Sequence, residues 1–60
     1  MKRKFQTNYG EVTVKDCMVD LDDGIEVISK DCGIHFELIG FSAENMDTEK
    51  LEHLIESELS

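Results

Sequence analysis

Alternation of apolar and polar residues between Cys17 and Leu38 constrains this chain more than any other feature of its sequence. A period of two residues is typical of strands that bury one face. The alternation is interrupted twice, by DDG at 22–24 and by KDCG at 30–33, and both interruptions end on a glycine that can adopt positive φ. The segment therefore predicts three antiparallel strands joined by two tight hairpins.

The loop at 22–24 sets the register that we predict for the first of these hairpins. A two-residue turn at Asp23 and Gly24 would place Leu21 opposite Glu26, since a slip of one residue turns a strand over relative to its neighbour. A three-residue loop avoids this mixing of charge into the apolar face. Carried through the loop at 30–33, it gives an inner face of three rows: Cys17, Ser29 and Ile34; Val19, Val27 and Phe36; Leu21, Ile25 and Leu38.

The same register predicts an outer face that mixes apolar and charged residues. Its rows are Asp16 beside Lys30, then Met18, Ile28 and His35, then Asp20, Glu26 and Glu37. Like charges directly opposite one another on neighbouring strands are destabilising, so the acidic row is either a recognition feature or a solubilising surface. The candidate interaction surface comprises Met18, Asp20, Glu26, Ile28, His35, Glu37 and Ile39.

A further hairpin is predicted between residues 5–8 and 11–14, with Phe5 opposite Val14 and Thr7 opposite Val12. Val12 and Val14 have the opposite parity to Cys17 in what reads as one strand. Either a bulge near residues 15–16 reunites the apolar side chains, or both faces are partly covered at that end.

The two ends of the chain give contrasting expectations. Residues 1–4 are expected to be a frayed basic arm, with a tether for an acidic surface as the alternative. Residues 47–59 predict a helix that Asp47 caps, with Met46 stapled onto Leu51. Its apolar stripe consists of Leu51, Leu54, Ile55 and Leu59.

These elements predict an α+β fold, a small two-layer domain in which a four-stranded antiparallel β-meander packs against one C-terminal α-helix (ββββα). We expect a single domain over residues 1–60, with Phe36, Val27 and Leu54 in its core. A chain of this size buries only about 60% of the surface that its unfolded form exposes, so its stability should be marginal.

The net charge of −8 limits the partners that this chain can bind. Half of the six basic residues fall in residues 2–4, and the remainder of the chain is strongly acidic. Such a body repels phosphates, so we expect no direct binding of nucleic acid and expect a protein partner that is basic. The sequence lacks a signal-peptide pattern and a membrane-spanning apolar run, which favours a cytoplasmic location without membrane contact.

Motifs that would carry chemistry are incomplete. The acids at 20–23 fail the calcium-loop pattern because glycine already occupies its fifth position, and they are typical of a hairpin turn. Cys32 and His35, with Cys17, offer at most three zinc ligands, and our register points Cys17 and His35 to opposite faces. A reactive thiol also needs an electropositive setting. We therefore expect no enzyme activity, no metal and no cofactor.

Two classes of function fit this description. The first is a small acidic, non-enzymatic protein-interaction module that uses the open sheet face, where Met18, Ile28 and Ile39 would also support a weak homodimer. The second is an acidic mimic of nucleic acid that occupies and inhibits a basic nucleic-acid-binding protein.

Overall fold

A computed structural model describes residues 1–60 and shows one antiparallel sheet and one helix. The strands follow one another in the order β1-β2-β3-β4, and the predicted ββββα fold is confirmed. The elements are β1 at Lys2–Thr7, β2 at Gly10–Val19, β3 at Asp22–Ser29, β4 at Ile34–Ile39 and α1 at Thr48–Leu59. This helix is not long and apolar enough to cross a membrane.

The register between β3 and β4 is confirmed. Phe36 lies opposite Val27, and Ile25 and Leu38 form the next pair on the same face. Gly33 adopts φ +69° in the loop between the strands, as a left-handed turn position requires.

The predicted register between β2 and β3 is wrong, because the turn falls two residues earlier than expected. Asp20 and Leu21 form a two-residue turn with φ of 51° and 73°, and Val19 lies opposite Asp22. Gly24 belongs to β3, where a Cβ atom would come within 2.4 Å of the carbonyl oxygen of Leu38. Glycine is therefore required here by the close approach of two strands and not by a turn.

β2 runs straight through the point where a bulge was one of two predicted alternatives. Its pairing with β3 is unbroken from Thr13 to Val19, so Val12 and Val14 face the core and are completely buried. Cys17 and Val19 consequently lie on the outer face, half-buried. Leu21, predicted to be a core residue, is 90% exposed in the turn.

The first hairpin is also tighter than predicted. Phe5 pairs with Val12 and Thr7 with Gly10, which shifts the expected register by two residues. A shift of two leaves every side chain on its predicted face, so Phe5 still reaches the core.

The core lies between the inner face of the sheet and the C-terminal part of the chain. Val27 is completely buried as predicted, whereas Phe36 and Leu54 are partly buried at the margin. The buried apolar residues are Phe5, Val12, Val14, Ile25, Val27, Ile34, Ala43, Met46, Leu51 and Ile55.

α1 begins as its sequence predicts. Asp47 is the N-cap, and its Oδ1 accepts a hydrogen bond of 2.7 Å from the backbone N–H of Lys50. Met46 and Leu51 are buried in the same cluster, as a hydrophobic staple requires. Leu59 is 59% exposed, so the apolar stripe ends at Ile55.

Residues 1–4 do not form a frayed arm, because β1 already begins at Lys2. Arg3 points to the inner side, where its Nη1 donates to the carbonyl oxygens of Ala43 at 2.9 Å, Glu44 at 3.2 Å and Met46 at 2.8 Å. Its guanidinium also lies 4.7 Å from the centre of the Phe5 ring. Arg3 thus fastens residues 40–47, the crossing loop, to the first strand.

Asp16 holds the same loop from β2. Its Oδ1 accepts a hydrogen bond of 2.8 Å from the Ala43 N–H, and its Oδ2 lies 3.1 Å from the α-ammonium group of Met1. The Ala43 hydrogen bond and then the ammonium group stabilise the charged carboxylate, so the pKa of Asp16 is lowered. The uninterrupted alternation of β2, which the sequence-based prediction could not reconcile with one buried face, points the Asp16 side chain at the loop.

Candidate functional site

The outer face of the sheet is the broad surface that the fold leaves uncovered. Residues of the crossing loop and of α1, such as Ala43 and Leu51, pack with Val12 and Val27 on the inner face. The odd-numbered residues of β2 and the even-numbered residues of β1 and β3 therefore point outward.

One charged row crosses all four strands on this face. From β1 to β4 its members are Lys2, Lys15, Glu26 and Glu37. The predicted row was correct for Glu26 and Glu37 but wrong for Asp20, which lies in the β2–β3 turn. Two positive charges are thus followed by two negative ones.

Glu26 has a cross-strand partner on each side of this row. Lys15 lies directly opposite it on β2, and the Nε2 of His35 lies 2.8 Å from its Oε2. Opposite charges on adjacent strands stabilise a sheet as like charges destabilise it. The repulsion between Glu26 and Glu37 that the sequence suggested is therefore relieved within the chain.

A depression of about 440 Å³ lies over β1, β2, β3 and the start of the β3–β4 loop. Four of the protein's five lysines line it, together with three acids, one threonine and one isoleucine. We call this the lysine depression; it consists of Lys2, Lys4, Lys15, Lys30, Glu11, Glu26, Asp31, Thr13 and Ile28. The molecule is strongly acidic, yet nearly all its lysines converge on this one area.

Asp31 shapes one end of the depression. Its Oδ2 accepts a hydrogen bond of 3.0 Å from the backbone N–H of Glu11, and the hydroxyl of Ser29 donates to the Glu11 carbonyl at 3.0 Å. These contacts continue the pairing of β2 with side chains beyond the end of the ladder at Ile28. Gly10 allows the approach, because a Cβ there would lie 2.6 Å from Asp31 Oδ2.

Five of the seven residues predicted for the interaction surface lie together on the outer face. They are Glu26, Ile28, His35, Glu37 and Ile39. Met18 has the parity of Val14 and points to the inner side beyond the core, where it is 61% exposed. The predicted apolar patch of Met18, Ile28 and Ile39 is therefore not contiguous.

The prediction that Cys17 lies in the core is wrong, because Cys17 lies beside the acidic end of the outer face. Its Sγ is 3.7 Å from Glu37 Oε2. Desolvation first, and then the charge and hydrogen bond of Glu37, raise the pKa of this thiol. A protonated thiol is a poor nucleophile. Cys32 is exposed in the β3–β4 loop, where its Sγ donates to Ser29 Oγ at 3.3 Å.

Sequence reasoning missed the lysines as a group. Lys2 and Lys4 were assigned to a frayed arm, and Lys15 was placed at a bulge, so no common surface was visible. The signal was present in the parity of β2: if Val12 and Val14 face inward, then Lys15 must face outward in a straight strand.

No group of three or more His, Cys, Asp or Glu side chains is placed to hold a metal ion. The chain matches no family model, and neither the curated proteins nor the solved structures provide a match. Only the geometry and charge of the molecule itself therefore indicate its function.

Proposed function

We propose that this protein is a small, non-enzymatic protein-interaction module that docks its partner on the outer face of the sheet. The observation that carries the proposal is the convergence of four of five lysines on the lysine depression of an acidic chain. Lysines that served only as general surface charge would be distributed over all faces of the molecule. The raised pKa of Cys17 supports a binding role over a nucleophilic one.

The charge order of this face selects the chemistry of the partner. Carboxylates of the partner would meet Lys2 and Lys15, and a cationic side chain would meet Glu37. Glu11 and Asp31 stand among the lysines, and the net charge of −8 repels polyanions at longer range. A protein segment of mixed charge, with its acids placed over β1 and β2, fits better than a nucleic acid.

A glutamate-rich peptide containing one arginine is the probe for this proposal. Titrated into the isotopically labelled protein, it should shift the amide resonances of β1 and β2 on the outer face. Lys15→Glu should abolish these shifts, because it reverses a charge in the middle of the depression. Lys50→Glu is the matched control, since it changes the net charge equally from a position on α1.

Shifts that survive Lys15→Glu would show that the peptide does not bind at the lysine depression. Shifts that disappear equally with Lys50→Glu would show that the peptide responds to net charge alone. Added salt should weaken the complex moderately, because exposed charges are screened beyond about 8 Å at physiological ionic strength. A duplex DNA added as a second probe should produce no shifts.

The nucleic-acid mimic remains a second candidate, and the distribution of acids favours it on a different surface. Four of the five lysines lie on the outer face. On α1, by contrast, four glutamates stand against one lysine and one histidine. A lysine-rich peptide that shifts α1 resonances and dissociates steeply with salt would support this function.

A further inference from the structure

The two edges of the sheet are protected very differently. β1 and β4 each have a neighbour on one side only. Lys2 and Lys4 lie along β1, and charged lysines on an edge strand discourage pairing with other chains. β4, with the sequence IHFELI, carries neither lysine nor proline. Its edge is therefore open to a further strand.

The free hydrogen-bonding groups of β4 can be identified from the ladder with β3. The N–H of Gly40 donates to the carbonyl oxygen of Asp23 at 3.1 Å, which extends the ladder by one hydrogen-bonded pair. Hydrogen-bonded and non-hydrogen-bonded pairs alternate in antiparallel ladders. The peptide groups of His35, Glu37 and Ile39 consequently face the open edge.

We propose that two copies of this chain pair antiparallel through β4 and form one continuous eight-stranded sheet, with the twofold axis at Phe36. In this register the outward peptide groups of His35 meet those of Glu37 in the second copy. Their side chains are then cross-strand neighbours on the outer face, and an imidazole opposite a carboxylate is a favourable pair. The contact is made twice, because the interface is isologous.

The inner face supports the same register. Phe36 would lie opposite Phe36 of the second copy in a non-hydrogen-bonded pair, the closer of the two pair types, and Ile34 would lie opposite Leu38. Phe36 and Leu38 are only partly buried in the single chain. The helix leaves this side open, since it packs nearest to β1, where Glu52 accepts the Asn8 N–H at 2.7 Å.

Other registers of the pairing between the two β4 strands are less favourable, so a second copy of the chain has one preferred alignment. A shift by two residues in one direction places Glu37 against Glu37, and in the other direction it places His35 against His35 and leaves Leu38 unpaired. Like charges opposite one another are destabilising. The proposal goes beyond the proposed function, because it depends on the backbone edge of β4, whereas the peptide test reads the resonances of β1 and β2 at the other end of the sheet. Each proposal can therefore fail without the other.

Sedimentation over a concentration series tests the dimer in the wild-type chain and in Glu37→Pro. The substitution removes an N–H that the monomer does not use, and proline is tolerated on an edge strand at such positions. It should weaken dimerisation by at least about tenfold. Glu37→Ala separates the loss of the side chain from the loss of the N–H and should weaken dimerisation less.

Lys4→Pro is the matched control at the other edge. The Asp16 N–H donates to the Met1 carbonyl, so by the same alternation the Lys4 N–H also faces outward. This variant should dimerise as the wild type does. Thermal melting of each variant verifies that the fold is retained.

A charge exchange keeps the test decisive if Glu37→Pro does not fold. His35→Glu alone should weaken the dimer, because it faces Glu37 of the second copy, and adding Glu37→Lys should restore it. A wild-type chain that stays monomeric up to about 1 mM would overturn the proposal. So would an unchanged dimer in folded Glu37→Pro, or equal loss in Lys4→Pro.

Discussion

Leu21 is an apolar residue in a position that an apolar residue rarely occupies. Its φ of 73° is left-handed, and its side chain is 90% exposed. Two-residue hairpin turns with positive φ at both positions usually contain Asn-Gly or Asp-Gly, and here Asp20 satisfies the first position only. The chain therefore accepts strain at Leu21 so that the register of β2 can bury Val12 and Val14.

Replacing Leu21 with glycine should stabilise the protein. Leu21→Gly removes a left-handed penalty of about 1–2 kcal/mol, of which the greater flexibility of glycine in the unfolded chain offsets part. We expect the free energy of unfolding to rise by about 0.5–1 kcal/mol in chemical denaturation. Leu21→Ala, which keeps a Cβ, is the control and should bring no gain. A loss of about 2–5 kcal/mol, as for a core leucine, would contradict the observed turn.

Asp16 should make stability depend on pH in a definite direction. Its pKa is lowered in the folded chain, so it contributes stability above the unfolded-state pKa, and that contribution disappears as the pH falls through the folded value. Asp16→Asn retains an oxygen acceptor for the Ala43 N–H but does not titrate. Wild type should exceed this variant in stability at neutral pH, and the difference should shrink as the pH falls below about 4.

Glu56→Gln is the control for this pH dependence, because it makes the same chemical change on the exposed side of α1. The stability of Asp16→Asn and of wild type would be compared by chemical denaturation at each pH. A difference that is constant across the acid range would mean that Asp16 acts through packing or geometry and not through its charge.

At the scale of the elements, β1 and the crossing loop stabilise one another through Arg3. Three carbonyl oxygens of the loop share one guanidinium nitrogen, so the loop needs no regular structure of its own between β4 and α1. The arrangement explains how a chain can turn from the far edge of the sheet back towards β1 without leaving these backbone groups unsatisfied.

Arg3→Met should therefore unfold the loop more than it disturbs the sheet. Methionine keeps the apolar stem and loses the donors, and hydrogen bonds to a charged group contribute roughly 1.5–3 kcal/mol. We expect a loss of about 2 kcal/mol in the free energy of unfolding, with faster hydrogen exchange at Met46. Lys4→Met removes the same charge from the same strand on the outer face. Equal losses in both variants would rule out the contacts of Arg3 as the cause.

The sequence predicted elements better than it predicted the way they are joined. The N-cap at Asp47 and the pairing of Val27 with Phe36 followed from local chemistry that a single residue type determines. Gly24 misled the prediction, because its role in β3 is to admit the Leu38 carbonyl, and this close contact exists only once the strands have paired. The displaced register then moved Lys15 and hid the lysine depression.

At the scale of the whole molecule, the difference between the predicted and the observed register of β2 changes the charge pattern of the outer face. With β2 turned over, Asp20 joins Glu26 and Glu37 in one acidic row of the outer face; in the structure the row is divided, with lysines on β1 and β2 and with Glu26 and Glu37 on β3 and β4. The partner expected from net charge was basic, whereas the face that remains uncovered has its own order of charges. Net charge describes this protein poorly because its charges are sorted by face.

This distribution of charges gives the molecule an electric dipole moment. Near a negatively charged surface, the chain would rotate until the lysine depression faces that surface, while its net charge of −8 still opposes adhesion. A positively charged surface would instead capture it by α1. A positively charged ion-exchange resin should therefore retain the protein at low salt through α1, whereas a negatively charged resin should not retain it.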